Sequence, residues 1–328
     1  MKSLTHKFTS AAGETFRDGL SITWDLYKVM IPVIIAVKIL QEMDLIHFFA
    51  APLTPLMQVV GLPGEMGFVW AAAIVNGVYS GIILLIAFIE HTPMSTGQVT
   101  VICTLMLVAH ALPVELRIAQ KAGTRLPFQA VSRLLGAFVL GWILHQTYAI
   151  TGTLGEPARM LLSPDSTSAG GEKSLLLWAA GEARTLAGIF LIILGLLACM
   201  RLLDRLGVIK AINRMLAPAL ALVGIGPGAT TVTMIGLTLG IAYGGGIIIH
   251  EARSGTVPPR DLFYSITLMG LSHSIVEDTL LMLMVGAHIS GVLFGRVLFS
   301  VVAIGVLAAA CRRLPVGWSE RALWHRVA

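Results

Sequence analysis

Long apolar stretches separated by short polar connections occupy most of this chain of 328 residues. Val29–Leu40, Phe68–Phe88 and Val297–Ala310 suit the interior of a bilayer, which a helix of about 20 apolar residues spans. We therefore predict an all-α polytopic membrane protein with about ten transmembrane segments. Their approximate bounds are 26–41, 44–60, 66–90, 97–116, 129–150, 175–200, 208–223, 229–251, 262–285 and 289–311.

The second half of the chain repeats the first. Pro55 and Gly61 in the stretch LTPLMQVVGL match Pro218 and Gly224 in LAPALALVGI at a shift of 163 residues. Transporters with a solute site at the bilayer midplane typically have two apolar halves, and Gly and Pro interrupt both halves at corresponding points. After one inserted residue, a shift of 164 places Pro63-Gly64 on Pro227-Gly228 and Tyr79–Ile83 on Tyr243–Ile247.

Lysine and arginine placement predicts the topology. If the N-terminus is cytoplasmic and all ten segments cross, 16 of the 23 cations lie inside, and the outside loops hold only Arg159 and Lys173, as the positive-inside rule requires. Five crossings in each half make the repeats inverted and both termini cytoplasmic. If 44–60 and 208–223 do not cross, the repeats are parallel, but the cations of 117–125 then lie outside. We favour inversion.

Composition narrows the class of protein. Hydrophobic residues make up 56% of the chain and charged residues 12%, against about 25% charged residues in soluble domains. The mean hydropathy is +0.83. The net charge of +5 follows membrane topology and implies no nucleic-acid partner. No GxxxxGK[ST], HExxH or GxSxG motif occurs, so we predict neither nucleotide-driven transport nor an enzyme.

The same patterns divide the chain into five parts. Leu4, Phe8, Ala12, Phe16, Leu20 and Trp24 recur every four residues, which predicts an amphipathic interfacial helix within 1–25. Two membrane repeats follow at 26–151 and 175–311. A polar external linker at 152–174 joins them, and 312–328 form a cytoplasmic tail.

The sharpest candidate site is the run Ser272-His273-Ser274 with Glu277 and Asp278. His273 lies near the middle of the segment 262–285, where an ionisable group is costly and therefore suggests function. Glu277 follows four residues later, hence on the same helical face. Such a pair can bind a cation, relay a proton or hold a polar solute. The alternative is a buried ion pair that only fixes helix packing.

The first half has a corresponding pair, His110 and Glu115. A shift of 162 aligns Glu115 with Glu277 and places His110 one residue from His273. Pro113 removes a backbone hydrogen bond, which predicts a carbonyl free to face a cavity. The alternative is that Glu115 is solvated beside Arg117 at the cytoplasmic end of its segment.

Glycine-rich motifs predict breaks in two further segments. We place these breaks at Ser80-Gly81 and Gly245-Gly246, where unwound backbone offers polar groups to a solute. The stripe Gly236, Gly240 and Gly244 favours close helix packing instead. The motifs also supply polar and aromatic candidates for solute binding, namely Asn76, Tyr79, Ser80 and Tyr243.

These motifs resemble the nucleoside recognition, or Gate, domain. That domain occurs in concentrative nucleoside transporters, in the membrane part of ferrous-iron transporters and in spore-maturation membrane proteins. GLSHSIVEDT at Gly270–Thr279 is similar to an uncharacterised stand-alone branch of this superfamily. The resemblance covers about 26–311 and implies an inverted-repeat transport fold with solute bound where the halves meet.

We therefore expect a passive or ion-coupled transporter in the cell inner (plasma) membrane for a small polar or charged solute, with a divalent metal cation favoured. His273, Glu277, His110 and Glu115 are the expected metal ligands, and Asp278, Ser274, Gly245 and Gly246 complete the site. No cofactor is expected beyond a bound divalent metal or coupling cation. The alternatives are a nucleoside transporter, an intramembrane metal-dependent enzyme and a partner subunit without transport. The glycine stripe also suits a homodimer contact.

Overall fold

The computed structural model describes residues 51–89, 92–161 and 175–325, together with scattered positions between 13 and 48. Among these residues regular structure is helical, apart from two isolated β-bridges. The helices are α1 (Thr54–Val59), α2 (Met66–Asn76), α3 (Val78–Ile89), α4 (Thr96–Val108), α5 (Leu112–Lys121), α6 (Leu126–Thr151), α7 (Leu175–Arg205), α8 (Val208–Leu222), α9 (Pro227–Leu239), α10 (Ile241–Ser254), α11 (Pro259–Leu271), α12 (Ile275–Met284), a π-helical turn (Ser290–Gly295), α13 (Arg296–Arg313) and α14 (Val316–Ala322).

The repeat predicted from the sequence is visible in the order of these helices. α1 to α6 correspond one by one to α8 to α13. The breaks agree in register, because Gly77 ends α2 where Gly240 ends α9, and Ala111 precedes α5 where Ser274 precedes α12. Both pairs are 163 residues apart, so the shift of the first proline motifs also holds at the hairpins and at the helix breaks. The predicted shift of 164 for Tyr79–Ile83 is therefore wrong.

α2 and α3 form a helical hairpin rather than one crossing segment. A Cβ atom placed on Gly81 would lie 3.0 Å from the Cβ of Ala73 and 3.2 Å from the carbonyl oxygen of Val69. Residues 12 positions apart touch only if the chain has turned back, since a straight helix would separate them by about 18 Å. Gly77 makes the turn at φ 119°, a value that favours glycine.

α9 and α10 form the equivalent hairpin in the second half. Gly240 turns the chain at φ 87°, and a Cβ on Gly244 would contact Ile235 and the Cα of Gly236. The prediction that 66–90 and 229–251 each cross once is therefore wrong. Hydropathy did not reveal the turns, because both arms of a buried hairpin are as apolar as a crossing helix.

α4 with α5, and α11 with α12, are interrupted helices. Together with α6, α7 and the π-turn followed by α13, they form the five helical stretches of the described chain that are long and apolar enough to cross a membrane. α1 has only six residues, and α8 has Pro218 in its interior. Thus the structure supports several membrane-spanning helices but does not contain ten long ones among the described residues.

The equivalent helices α6 and α13 run in opposite directions. Near the end of α6, the Tyr148 hydroxyl lies 2.8 Å from the Ser290 hydroxyl, which begins the π-turn before α13. At the start of α6, the Arg125 amide donates to the carbonyl of Leu323, beyond the end of α13. These two contacts indicate that α6 and α13 lie antiparallel to each other.

Part of the predicted N-terminal helix lies outside the described residues, including Leu4, Phe8 and Ala12, as do several positions of 26–41 and residues 162–174 of the linker. Residues 15–21 are helical and pack against α7. The ring of Phe16 contacts Phe190 with centroids 6.0 Å apart, and Asp18 pairs with Arg201.

Candidate functional site

Two helix breaks bring His110 and His273 together at the junction of the halves. α4 ends at Val108 and α11 at Leu271, and each break ends in a left-handed residue with φ 46°, Ala111 or Ser274. Positive φ is uncommon outside glycine, so two such residues at equivalent positions mark a conformation that packing imposes. Pro113 lies in the first turn of α5, where its missing N–H costs nothing.

Both histidine rings are oriented in the same way. Nδ1 of His110 lies 2.9 Å from the carbonyl oxygen of Met106, and Nδ1 of His273 lies 2.8 Å from that of Met269. A carbonyl only accepts, so each Nδ1 carries the hydrogen and each Nε2 presents a lone pair when the ring is neutral. The two Nε2 atoms lie 3.1 Å apart. Both side chains are buried.

Glu115 completes the group from the first turn of α5. Its Oε1 lies 3.5 Å from Nε2 of His110 and 3.3 Å from Nε2 of His273. Its Oε2 accepts a hydrogen bond from Arg133, which is only 2% exposed. Glu115 itself is 3% exposed, so the alternative that it is solvated beside Arg117 is wrong. His110, Glu115 and His273 therefore each offer one ligand atom to a metal ion.

Arg133 on α6 also closes the first helix break. Its Nε donates to the carbonyl of Val108 at 3.0 Å, and Nη2 donates to the carbonyl of His110 at 3.1 Å. Both carbonyls lie at the break between α4 and α5, and buried carbonyls without partners are costly. The carbonyls of Val108 and His110 therefore bind an arginine rather than line a cavity.

Arg296 and Asp278 form the equivalent pair in the second half, but the contacts are weaker. Arg296 Nη1 lies 3.4 Å from Asp278 Oδ2, and Nη2 donates to the carbonyl of His273 at 3.2 Å. Arg296 Nε has no partner among the described residues. Asp278 is one methylene shorter than Glu115, and the described structure shows no hydrogen bond or ion pair between its carboxylate and either histidine.

The hairpin tips contact the same two breaks. A Cβ on Gly77 would lie 3.9 Å from the Cβ of Ala111, and the Ala111 amide donates to the carbonyl of Ala73 at 2.9 Å. In the second half, a Cβ on Gly240 would lie 2.5 Å from the hydroxyl of Ser274. Each half therefore carries a hairpin tip packed on a helix break, and the two breaks meet through the histidines.

The structure corrects the predicted register of the carboxylates. A shift of 163, not 162, relates the halves here, so Glu115 corresponds to Asp278 and His110 to His273. Glu277 and His273 do not share a helical face, because His273 lies in the break before α12 begins. Glu277 is half-buried and has no hydrogen-bond or ion-pair partner within the described part of the chain.

The other predicted residues lie around the hairpins. Ser80-Gly81 and Gly245-Gly246 are inside the continuous helices α3 and α10, so the predicted breaks there are wrong; the turns come earlier, at Gly77 and Gly240. Gly245 instead packs close to Ile118, across the halves. Asn76 is exposed, Tyr79 half-buried and Ser80 buried. The side chain of Tyr243 lies outside the described residues.

The glycine stripe has a divided outcome. A Cβ on Gly236 would lie 1.8 Å from the sulfur of Met269, and Gly244 faces Gly236. These two glycines pack tightly, as predicted, whereas Gly240 between them makes the hairpin turn.

Sequence reasoning missed Arg133 and Arg296. Both lie in apolar segments, where a cation is costly, and they are 163 residues apart. The internal repeat alone was a sufficient signal to find them.

A cleft of about 360 Å³ opens at the Thr151 end of α6, away from His110 and His273. Its lining includes Gln98, His145 and Tyr148. Tyr148 also bonds to Ser290 in the other half.

Comparison with known proteins adds one relative. The chain is 28% identical over 299 residues to the uncharacterized membrane protein YvoD of Bacillus subtilis (strain 168), an alignment that covers 88% of this chain and 91% of the relative. With the five apolar helices, this decides the general class. The protein is a multi-pass membrane protein. No family model matches the chain, and no solved structure matches it, so the Gate-domain resemblance stays a prediction.

Proposed function

We propose that this protein is a membrane transporter that moves a small polar or charged solute through the junction of its two halves. The convergence of two hairpin tips and two helix breaks on His110, Glu115 and His273 carries this proposal. Interrupted helices place polar side chains and unpaired backbone at membrane depth, an arrangement that transporters use for solute binding. Ionisable side chains at such a depth mark solute or ion pathways.

The proposal includes a topology of six crossings, three in each half. They are 26–41, α4 with α5, α6, α7, α11 with α12, and the π-turn with α13. The first hairpin enters from outside and the second from the cytoplasm. All 16 predicted inside cations keep their side, including Lys210 and Arg214 on α8. Three is odd, so the repeats stay inverted with both termini cytoplasmic, in agreement with the opposite directions of α6 and α13.

Cysteine labelling distinguishes six crossings from ten. In a variant without native cysteines, Gly228→Cys lies at the start of α9, where the side chain is exposed. Six crossings place it in the cytoplasm, and ten place it outside. A membrane-impermeant maleimide on intact cells should therefore label Gly155→Cys but neither Gly228→Cys nor Gly317→Cys. Labelling of Gly228→Cys in intact cells would contradict this topology.

Within the transport proposal we favour a divalent metal cation as the solute over a nucleoside. Two imidazoles and a carboxylate are suitable metal ligands. A nucleoside site calls for aromatic stacking, and the chain has only five tyrosines and six tryptophans. Asn76 and Ser80 remain candidates for an organic solute at the first hairpin.

The test is uptake into proteoliposomes that contain the purified protein, with divalent metals and nucleosides compared as solutes. We expect uptake of a divalent metal that falls to background in the double variant His110→Ala with His273→Ala. Undiminished uptake in that variant removes the histidine pair from the pathway. Uptake of nucleosides alone would replace the metal by the organic solute.

A second candidate function is a partner subunit without transport. The observation that favours it is the burial of both arginine–carboxylate pairs, which suits a fixed packing role. The convergence of two histidine lone pairs on a carboxylate oxygen is not explained by packing, so we place this candidate second. Protein-containing vesicles that take up no solute from either class, although the protein is folded, would reverse that order.

A further inference from the structure

We infer that His110 Nε2, His273 Nε2 and Glu115 Oε1 form a tetrahedral binding site for one divalent transition-metal ion, with the fourth position open. This inference rests on the proposed function for the role of the ion as solute, but the site itself follows from the geometry of the three atoms. It deepens the proposal by naming the ligands, the coordination and the class of metal.

The first step is the chemistry of the three converging atoms. Each histidine uses Nδ1 to donate to a backbone carbonyl, so both Nε2 atoms are acceptors. Glu115 Oε1 is an acceptor as well, while its other oxygen binds Arg133. Three buried acceptors thus face one another with no donor between them, an arrangement that is unfavourable unless a positive species lies at the centre.

The second step is the spacing of the atoms. The three separations are 3.1 Å between the nitrogens and 3.5 Å and 3.3 Å from the oxygen to His110 and His273. Ligands about 2.0–2.1 Å from a tetrahedral ion lie about 3.3 Å apart. The observed triangle therefore matches one face of a tetrahedron. If a proton lay between the two Nε2 atoms instead, Glu115 Oε1 would not be hydrogen-bonded to either nitrogen. Both distances exceed the length of a charge-assisted hydrogen bond, which is about 2.7–2.9 Å.

The third step is the class of ion. Two imidazole nitrogens and one carboxylate oxygen suit Zn²⁺, Fe²⁺, Co²⁺ or Mn²⁺, whereas Ca²⁺ and Mg²⁺ prefer oxygen ligands and higher coordination numbers. Three protein ligands with one open position leave the ion accessible to exchange. The carbonyls behind both rings and Arg133 behind Glu115 fix the ligands in place, as the outer partners of metal ligands do.

The repeat supplies a matched control for this site. Glu115 and Asp278 are equivalent buried carboxylates, and each pairs with a buried arginine. Of these two, only Glu115 has a carboxylate oxygen within 4 Å of a histidine ring nitrogen. Glu115→Gln and Asp278→Asn each keep the shape of a buried carboxylate side chain and remove its charge, but only the first removes a metal ligand.

The experiment measures metal binding to the full chain in detergent by equilibrium dialysis, with Zn²⁺, Co²⁺, Ca²⁺ and Mg²⁺ as probes. We expect one Zn²⁺ or Co²⁺ per chain, an intense visible Co²⁺ spectrum typical of tetrahedral coordination, and much weaker binding of Ca²⁺ and Mg²⁺. His110→Ala and His273→Ala should weaken binding by more than about 100-fold, since outer partners alone are worth about 10–100-fold. Asp278→Asn should leave the affinity within a few-fold.

A ligand-exchange variant guards against misfolding of the alanine variants. His273→Cys keeps a metal ligand and should add a thiolate charge-transfer band to the Co²⁺ spectrum. Any of three results would overturn the site. Asp278→Asn loses as much metal affinity as the histidine variants, the Co²⁺ spectrum is octahedral, or a folded His273→Cys protein lacks the new band.

The two proposals fail separately. If the ion binds in this way but vesicles take up neither a metal nor a nucleoside, the site stands as a resident metal centre and the transport proposal fails. If the vesicles take up a nucleoside while the histidine variants bind metal as the parent does, the transport proposal stands and the metal site fails.

Discussion

Arg133→Met tests whether the arginines are central to the architecture of the junction. Methionine keeps an apolar side chain of similar length, so the change removes the charge and the donors while limiting the cavity. The same substitution at Arg296 provides the matched comparison, because both arginines are essentially buried and hold equivalent places in the repeat. The prediction is that the two variants differ in stability.

The expected magnitudes follow from the contacts of each guanidinium. Arg133 pairs with buried Glu115 and donates to two carbonyls at the helix break. Loss of one partner of a buried pair costs about 3–5 kcal/mol. Arg296 has a 3.4 Å contact with Asp278 and one carbonyl bond at 3.2 Å, and its Nε has no partner among the described residues. Its loss should cost about 1–3 kcal/mol.

The free energy of unfolding is measured in mixed detergent–SDS micelles for the parent and both variants. Arg133→Met should be about 2 kcal/mol less stable than Arg296→Met. Adding Glu115→Gln to Arg133→Met should recover part of the loss, because it removes the unpaired buried carboxylate. Equal losses in the two single variants, or a larger loss for Arg296→Met, would refute the reasoning.

Two further substitutions test packing away from the ionisable groups. Gly236→Ala forces a methyl group to within 1.8 Å of the sulfur of Met269 and should cost about 1–3 kcal/mol of unfolding free energy. The added methyl group of Gly246→Ala meets nothing within 4 Å, so this variant should gain up to about 1 kcal/mol from helix propensity. Similar values for both variants would contradict the packing role of Gly236. Trp324→Ala removes a buried ring whose centroid lies 5.1 Å from that of Phe263, and it should lower stability by about 3–5 kcal/mol. An unchanged melting temperature would show that the C-terminal segment does not stabilise this end of the bundle.

The repeat, the helical class and the meeting of His110 with His273 were predictable because each leaves a mark in the sequence. A duplication keeps Gly and Pro where the backbone needs them, and a histidine deep in an apolar stretch is conspicuous. His110 and His273 lie 163 residues apart, which is the shift that the first proline motifs already define.

The hairpins were not predictable from hydropathy. The stretch 66–89 has the length of one crossing helix, and its backbone hydrogen bonds are satisfied whether it crosses or turns back. The backbone conformation of Gly77 distinguishes a crossing helix from a hairpin, and the φ angle of a glycine cannot be read from the sequence. The choice of Ser80-Gly81 and Gly245-Gly246 as breaks failed for a related reason, since adjacent small residues also allow two helices to pack closely.

The carboxylates were misaligned because identity was preferred to register. Glu115 matches Glu277 in residue type, whereas the repeat places it on Asp278. Register follows the backbone, and each break sets the position of the helix that comes after it. The register of the repeat also relates Arg133 to Arg296, but the topology prediction used neither arginine.

One methylene group therefore separates the roles of the two halves. The frame is symmetric: each half supplies a histidine held by a carbonyl, a carboxylate one turn into the next helix, and an arginine that caps the break. Glu115 is long enough to reach Arg133 with one oxygen and both histidines with the other. Asp278 makes only the arginine contact among these. In the proposed metal site, the long carboxylate therefore supplies the only oxygen ligand among the described residues, because the short one does not reach the two histidine rings.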